Sequence, residues 1–99
     1  MDFKIVWTLR ARDDLRNIAT YISRDNPAAA LKLGETIFDR VDVLEKFPEL
    51  GRVVPEWGRP DVREIIVGSY RIVYRVGNQR KAIEILRVWH GARGEPLMQ

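Results

Sequence analysis

The sequence predicts a single α+β domain: one strand, an antiparallel helix hairpin, and a three-stranded antiparallel meander, with the helices on one face of a four-stranded sheet. Apolar residues recur at helical spacing between positions 8 and 47, and strand-forming residues dominate from position 62 to position 90. A segment rich in glycine and proline separates the two regions. Ninety-nine residues, 45% of them hydrophobic, suffice for one modest core, so residues 1–99 are expected to form one domain.

The composition narrows the class of protein. There is no cysteine and only one histidine, so we expect neither a metal site nor a cofactor. No apolar run approaches the roughly 20 residues that cross a bilayer, which predicts a cytoplasmic protein without a membrane partner. Residues 51–99 carry nine Lys/Arg against five Asp/Glu, and eight of the nine are arginines. Arginine suits bidentate contact with carboxylate or phosphate, so this half of the chain favours an anionic partner.

The first strand is expected from Phe3 to Trp7, where aromatic and β-branched residues are concentrated. Thr8 then stands at the N-cap position of a helix, and we place Asp13 and Asp14 near its first turn, where they complement the helix dipole. The apolar positions of this helix are Ala11, Leu15, Ile18, Ala19 and Ile22.

A second helix begins at Asn26-Pro27, since asparagine is a favoured N-cap and proline suits the first helical position. We expect it to continue to about Phe47, where Pro48 ends it. The connection is short, so the two helices form a hairpin. The apolar stripe of the second helix is Ala30, Leu33, Ile37, Val41 and Leu44, flanked by Phe38.

Residues 49–61 read as a loop whose Trp57 packs back onto the domain, and Gly68-Ser69 reads as a two-residue hairpin turn. The three meander strands run from about Val62 to Val67, Tyr70 to Val76, and Ala82 to His90.

Alternation along the middle meander strand separates an apolar from a charged face. The side expected to face the helices carries Tyr70, Ile72, Tyr74 and Val76, and the other side carries Arg71, Val73 and Arg75. Alternation separates apolar from polar residues less cleanly in the last strand, so the sequence does not decide which of its two sides is buried. One set is Glu84, Leu86, Val88 and His90, and the other is Ile83, Ile85, Arg87 and Trp89.

Two segments near the C-terminus, GSYRIVYRV and ILRVWHGAR, together with the order of the elements, resemble the RelE/ParE superfamily of toxins from bacterial type II toxin–antitoxin modules. The segments ARDDLRNIATYIS and FPELGR are similar to the ParE, or plasmid-stabilisation, branch. The resemblance covers nearly the whole chain. It implies a toxin that a cognate antitoxin neutralises in a hetero-oligomeric complex.

The resemblance also implies one of two activities, because RelE-like members cleave messenger RNA on the ribosome and ParE-like members poison DNA gyrase. Arg71 and Arg93 match two basic positions of the RelE-like nuclease site. The C-terminal tyrosine that many such enzymes use is missing, which leaves only His90 and Glu64 as candidate acid or base. We therefore predict a gyrase-directed toxin that is not an enzyme, with the ribosome-dependent endoribonuclease as the alternative.

The basic residues also predict a binding surface. Candidate contacts with the antitoxin or target are Arg63, Arg71, Arg75, Arg87, Arg93 and Trp89. Our hypothesis is that an acidic and apolar antitoxin tail crosses the helix hairpin and the sheet and places carboxylates opposite Arg71 or nearby arginines.

Simpler roles stay open for the same residues. Arg71 and Arg75 could pair with Glu64 or Glu84 across neighbouring strands, and His90 could be a hydrogen-bonded strand-end residue. Trp89 and Tyr74 are expected to be buried in the core, where aromatic side chains contribute a large apolar surface. A diverged, non-toxic binding module and a free-standing nucleic-acid reader are further alternatives, although the sequence carries no helix-turn-helix, zinc-finger or RNP-type signature.

Overall fold

A computed structural model shows a five-stranded mixed sheet covered on one face by two helices. The structure describes residues 2–94 and Pro96. The elements are β1 (Lys4–Trp7), α1 (Leu9–Ser23), α2 (Pro27–Asp42), β2 (Arg52–Val53), β3 (Val62–Val67), β4 (Tyr70–Gly77) and β5 (Ala82–His90). The strands are arranged in the order β1-β5-β4-β3-β2. The predicted α+β class, helix hairpin and antiparallel meander are confirmed.

Both predicted N-caps are formed. The Thr8 hydroxyl accepts the Ala11 N–H at 3.2 Å, and the Asn26 side chain accepts the Ala29 N–H at 3.1 Å, so each satisfies a backbone donor that the helix leaves unpaired. One boundary prediction is wrong: the α-helix α2 ends at Asp42 and gives way to a 3₁₀ turn, Val43–Glu45. Asp13 and Asp14 lie directly after the first turn of α1, which itself has no acidic residue.

The sheet has one strand more than predicted. β2 is a two-residue strand inside the expected loop, and it pairs antiparallel with β3 through Arg52 opposite Glu64 and Val53 opposite Arg63. β1 pairs in parallel with β5 at the other edge. Gly68 takes a φ of +58°, as the first central position of a tight hairpin turn requires.

A β-bulge in β5 explains the uneven division of its residues. Val73 lies opposite Arg87 whereas Tyr74 lies opposite Ile85, so Leu86 is an extra residue in the ladder. Alternation therefore changes phase at this point. Ile83, Ile85 and Val88 all join the helix-side core.

We call the helix-covered side of the sheet the inner face and the opposite side the outer face. The inner core joins residues of α1 and α2 to Tyr74, Ile72, Ile83 and Ile85, each 0% exposed. On the outer face, Val54, Val62 and Val73 form a smaller buried cluster on which Trp57 and Leu86 pack. The predicted return of Trp57 onto the domain is confirmed. Among the described residues, no helix is long and apolar enough to span a bilayer.

Candidate functional site

An ion-pair network centred on Arg71 occupies the outer face of β3 and β4. Arg71 Nε donates to Glu64 Oε1 at 2.5 Å, while Nη1 and Nη2 donate to the two carboxylate oxygens of Glu56 at 2.9 and 2.8 Å. A fourth hydrogen bond joins Nη1 to the Gly94 carbonyl at 3.3 Å. The Arg71 side chain is 10% exposed. Its guanidinium is thus largely satisfied by groups of its own chain.

Glu64 is the buried half of this network. Its carboxylate also accepts Nε of Arg52 at 2.7 Å, so one buried carboxylate lies between two guanidinium groups. Such a charge stays buried only when it is paired and hydrogen-bonded, and here both conditions are met.

The network also fixes protonation states. Hydrogen bonds from Arg71 lower the pKa of Glu56 to about 2, and hydrogen bonds to Glu56 and Glu64 raise the pKa of Arg71 further above its ordinary value. Glu56 and Arg71 are therefore both charged at neutral pH. A general acid or base works best with a pKa near the operating pH, which neither residue has.

Trp89 lies beside Arg71 on the outer face and is 3% exposed, as expected of a core residue. Its indole N–H donates to the Gly94 carbonyl at 3.1 Å. The guanidinium carbons of Arg93 and Arg87 lie 4.5 and 4.9 Å from its ring centroid, within cation–π range. Trp89 therefore connects Arg93, which is exposed, to the buried network.

Arg87 is held by α1. Its Nε and Nη2 donate to the Asp14 carboxylate at 2.6 and 2.9 Å, and the same carboxylate accepts the Val88 N–H at 3.0 Å. The β1–β5 ladder ends at Ile85, so Asp14 satisfies an amide of β5 beyond β1. Asp14 thus anchors α1 to the sheet instead of complementing a helix dipole.

The remaining predicted site residues have separate roles. Arg75 pairs with Glu84 across strands at the surface. Arg63 lies on the same face of β3 as Ile65, the inner face, and its Nη1 donates to the Gly51 carbonyl at 2.9 Å, so it does not join the outer-face arginines. His90 Nδ1 accepts the Ala92 N–H at 3.1 Å and caps the 3₁₀ turn that follows β5.

Glu56 is the residue that sequence reasoning missed. It lies in the loop between β2 and β3, 15 residues before Arg71, and no periodic pattern relates the two positions. The only signal is compositional: Glu56 is an acidic residue in the ordered loop that returns to the basic outer face. Within the described residues, no group of three or more His, Cys, Asp or Glu side chains could hold a metal ion.

A second surface feature, the helix groove, lies between α1 and α2. Its volume is about 810 Å³, and its lining is mainly apolar, including Leu15, Ala19, Leu31 and Phe38. Leu31 and Phe38 are 67% and 46% exposed, which is high for large apolar side chains. Arginine side chains at positions 12 and 16 of α1 also line the groove.

Comparison with known proteins identifies the family. Residues 5–94 match the family described as the ParE toxin of type II toxin–antitoxin system, parDE. The chain is 36% identical over 96 residues to the protein Y4kP of Sinorhizobium fredii, covering 94% of this chain and 93% of the relative. It is 34% identical over 91 residues to toxin RelE2 of Caulobacter vibrioides, covering 91% and 97%.

A solved structure described as the chromosomal ParDE toxin–antitoxin system of P. aeruginosa matches with a TM-score of 0.71 at 28% identity, covering 89% of this chain and 95% of the other. The structural match therefore covers most of the described fold. The chain belongs to the ParE toxin family of type II toxin–antitoxin systems, within the RelE/ParE superfamily.

Proposed function

We propose that this protein is a ParE-like toxin that acts on DNA gyrase without enzymatic activity and is neutralised by a cognate antitoxin. The observation that carries the proposal is the state of Arg71. In a nuclease this arginine would have to meet the phosphate of the substrate, yet here its fork makes a bidentate contact with Glu56. A phosphate would have to displace that carboxylate.

The candidate acids and bases support the same choice. Metal-independent cleavage of RNA needs groups that activate the 2′-hydroxyl and protonate the leaving oxygen. Glu64 is 1% exposed and pairs with two guanidinium groups, and His90 uses Nδ1 to cap a turn. Both residues therefore have structural roles that compete with proton transfer.

The helix groove supports the antitoxin as partner. Its apolar lining and the arginines at positions 12 and 16 suit an amphipathic segment that presents apolar and acidic side chains together. The solved relative is itself described as a toxin–antitoxin system. The sequence alone also suggests a position for the antitoxin tail opposite Arg71. Because Arg71 already has carboxylates of its own chain, we now assign the tail chiefly to the helix groove.

The alternative is a RelE-like, ribosome-dependent endoribonuclease. One observation favours it: an open depression of about 590 Å³ is lined by Arg52, Tyr70, Arg71 and His90, which brings the matching Arg71 together with His90, a candidate acid or base. A relative in Caulobacter vibrioides also carries the name RelE2.

A paired assay on the purified protein tests the choice. One arm measures gyrase supercoiling and the accumulation of cleavage complexes, and the other measures ribosome-dependent cleavage of a defined message. We expect inhibited gyrase and an intact message. Arg93→Ala removes an exposed guanidinium from the position that matches the nuclease site, and Arg24→Ala is its charge-matched control at the end of α1.

Gyrase inhibition should survive both substitutions. The nuclease would be established instead by three results together. The unsubstituted protein and Arg24→Ala would both cleave the message, Arg93→Ala would not cleave it, and gyrase activity would be unaffected by all three.

The antitoxin surface is tested separately. Leu31→Ala truncates an exposed side chain of the helix groove, and Leu9→Ala truncates a similarly exposed leucine at the start of α1, outside the groove. In a binding assay with the cognate antitoxin, Leu31→Ala should weaken binding about tenfold and Leu9→Ala should not change it. Equal affinities for the two variants would place the antitoxin elsewhere.

A further inference from the structure

A second cleft, which we call the arginine cleft, lies on the outer face next to the start of α1. Four arginines line it: Arg10, Arg59, Arg75 and Arg87. They come from α1, from the loop before β3, from β4 and from β5. The volume is about 340 Å³, enough for one or two side chains of a partner. None of the described residues that line it is acidic.

The carboxylates that pair with these arginines lie outside the lining. Asp61 binds Nε and Nη2 of Arg59 at 3.2 and 2.9 Å, and Glu84 binds Nε and Nη2 of Arg75. Each pairing fixes one edge of a guanidinium. Within the described part of the chain, Nη1 of Arg59 and Nη1 of Arg75 have no partner, so both remain as donors for a ligand.

Arg10 differs from the other three arginines. It is exposed at the second position of α1 and forms no ion pair with any described residue, so its whole guanidinium is available. Counting Asp14, Asp61 and Glu84 against the four arginines leaves a formal charge of +1. One excess positive charge suits a single carboxylate better than a polyanionic nucleic-acid strand, which binds by neutralising several phosphates.

The lining also contains apolar groups. Trp57, Val62 and Leu86 contribute to the cleft, and they belong to the small outer-face cluster. Apolar surface surrounded by arginine, with tryptophan among the contacts, is the composition of an energetic hot spot in protein–protein interfaces.

We propose that the arginine cleft is a protein-docking site that takes a peptide segment with a large apolar side chain next to an aspartate or glutamate. The apolar side chain contacts Trp57 and Leu86, and the carboxylate accepts hydrogen bonds from Arg10 and from Nη1 of Arg59 or Arg75. The site is separate from the helix groove and from the Arg71 network. It does not depend on gyrase being the target.

The test is an NMR titration of the whole chain with the capped peptide Gly-Leu-Asp-Phe-Gly. The signals monitored are the arginine Nε–H and the tryptophan indole N–H resonances. The peptide should shift the Trp57 indole and the Arg10 and Arg59 signals in a saturable way. Replacing its aspartate by asparagine should weaken binding about tenfold, the effect of losing one charge-assisted contact. Arg10→Ala should weaken binding of the aspartate peptide to a similar extent.

Arg24→Ala is the matched control, because it removes the same charge from the far end of α1, outside the cleft. Unchanged affinity of this variant is expected.

Three results would overturn the proposal: no saturable shift of the Trp57 indole at millimolar peptide, equal affinities for the aspartate and asparagine peptides, or equal weakening by Arg10→Ala and Arg24→Ala. A twelve-nucleotide oligothymidylate provides the competing arm. If it binds more tightly than the peptide and loses that affinity in Arg10→Ala, the cleft is a nucleic-acid site instead.

Discussion

The two faces of the sheet are stabilised by different chemistry. On the inner face, Tyr74, Ile72 and Ile85 are 0% exposed and pack against the helix hairpin in one continuous apolar core. On the outer face, the buried cluster of Val54, Val62 and Val73 and the buried Trp89 share the surface with Glu64 and Arg71, which are 1% and 9% exposed. The outer face therefore depends on ion pairs where the inner face depends on packing.

Packing and ion pairs leave the two faces with different freedom to bind partners. An apolar core loses stability with every missing methylene group, so the inner face has little freedom to vary. An ion-pair network can hold several arginines in fixed positions while their remaining donors stay available. Ion pairs thus hold guanidinium groups in place on the outer face, and the helix groove on the other side has a mainly apolar lining.

The first prediction compares neighbouring residues on opposite faces. Ile85 is fully buried in the inner core, and Leu86, the bulge residue, packs on the outer cluster and is only partly buried. Ile85→Ala should lower the free energy of unfolding by about 4 kcal/mol and Leu86→Ala by about 1.5 kcal/mol, because only the first leaves an enclosed cavity. Urea denaturation measures both. Equal losses would show that the outer cluster is as much a core as the inner one.

The second prediction compares two arginines of β4. Arg71→Ala leaves the buried Glu64 with Arg52 alone, and it should lower the free energy of unfolding by about 3 kcal/mol. Arg75 is 44% exposed and pairs with a partly exposed glutamate, so Arg75→Ala should cost less than about 1 kcal/mol. Thermal and urea unfolding of both variants provide the measurement. A loss below 1 kcal/mol for Arg71→Ala would contradict a structural role for the network.

The sequence was sufficient to predict the inner face because its pattern is local. Tyr70, Ile72, Tyr74 and Val76 alternate along one strand, and all four pack in or against the predicted helix-side core. Helix caps are similarly local, since Thr8 and Asn26 act on amides three residues ahead. The sequence did not reveal β2, because two residues in a segment rich in glycine and proline show no alternation.

The outer face was harder to predict because its contacts are distant in the chain. Pairing of Arg71 with Glu64, seven residues away across a hairpin, is one of the alternatives that the sequence leaves open, and the structure contains it. Its second carboxylate, Glu56, and the contact between Arg87 and Asp14 join residues 15 and 73 positions apart. The bulge at Leu86 appeared in the sequence only as an uneven division of β5. The charged stripe thus predicted a basic face, but it did not predict that Glu56 and Asp14 supply carboxylates to its arginines.

The third prediction concerns Gly51, which directly precedes β2 and packs closely on β3 and β4. A Cβ added at Gly51 would lie 2.4 Å from the Glu64 carbonyl oxygen and 2.7 Å from the Tyr74 hydroxyl, closer than real contacts allow. The Gly51 N–H also donates to that hydroxyl at 2.9 Å. Gly51→Ala should therefore lower the free energy of unfolding by about 2 kcal/mol through strain against both strands.

The control for Gly51 is Gly34, which lies inside α2 with nothing within 4 Å of an added Cβ. Gly34→Ala should raise the free energy of unfolding by roughly 0.5 to 1 kcal/mol, because alanine is the better helix former. If Gly51→Ala behaved like Gly34→Ala, the close packing of the β2 loop on β3 and β4 would be refuted.

The smallest expected effect is on the pH dependence of the free energy of unfolding, which should differ between the two faces. The pKa of Glu56 is lowered from 4.5 to about 2 by Arg71, so its contribution to stability is complete above pH 4.5 and is lost as the pH falls toward 2. Burial raises the pKa of Tyr74 above 10.0, so stability falls as the pH rises beyond 10. Acid therefore lowers stability through Glu56 on the outer face, and alkali lowers it through Tyr74 on the inner face.

Urea denaturation between pH 2 and pH 11 checks this separation. Glu56→Gln should flatten the decline between pH 4.5 and pH 2 and leave the alkaline limb unchanged, while Tyr74→Phe should affect the alkaline limb alone. Glu35→Gln on α2, a glutamate with no ion pair among the described residues, controls for the general loss of one carboxylate. Parallel acid limbs for the unsubstituted protein and Glu56→Gln would mean that the hydrogen bonds between Glu56 and Arg71 do not stabilise the fold. Glu64 would then be the carboxylate that stabilises Arg71.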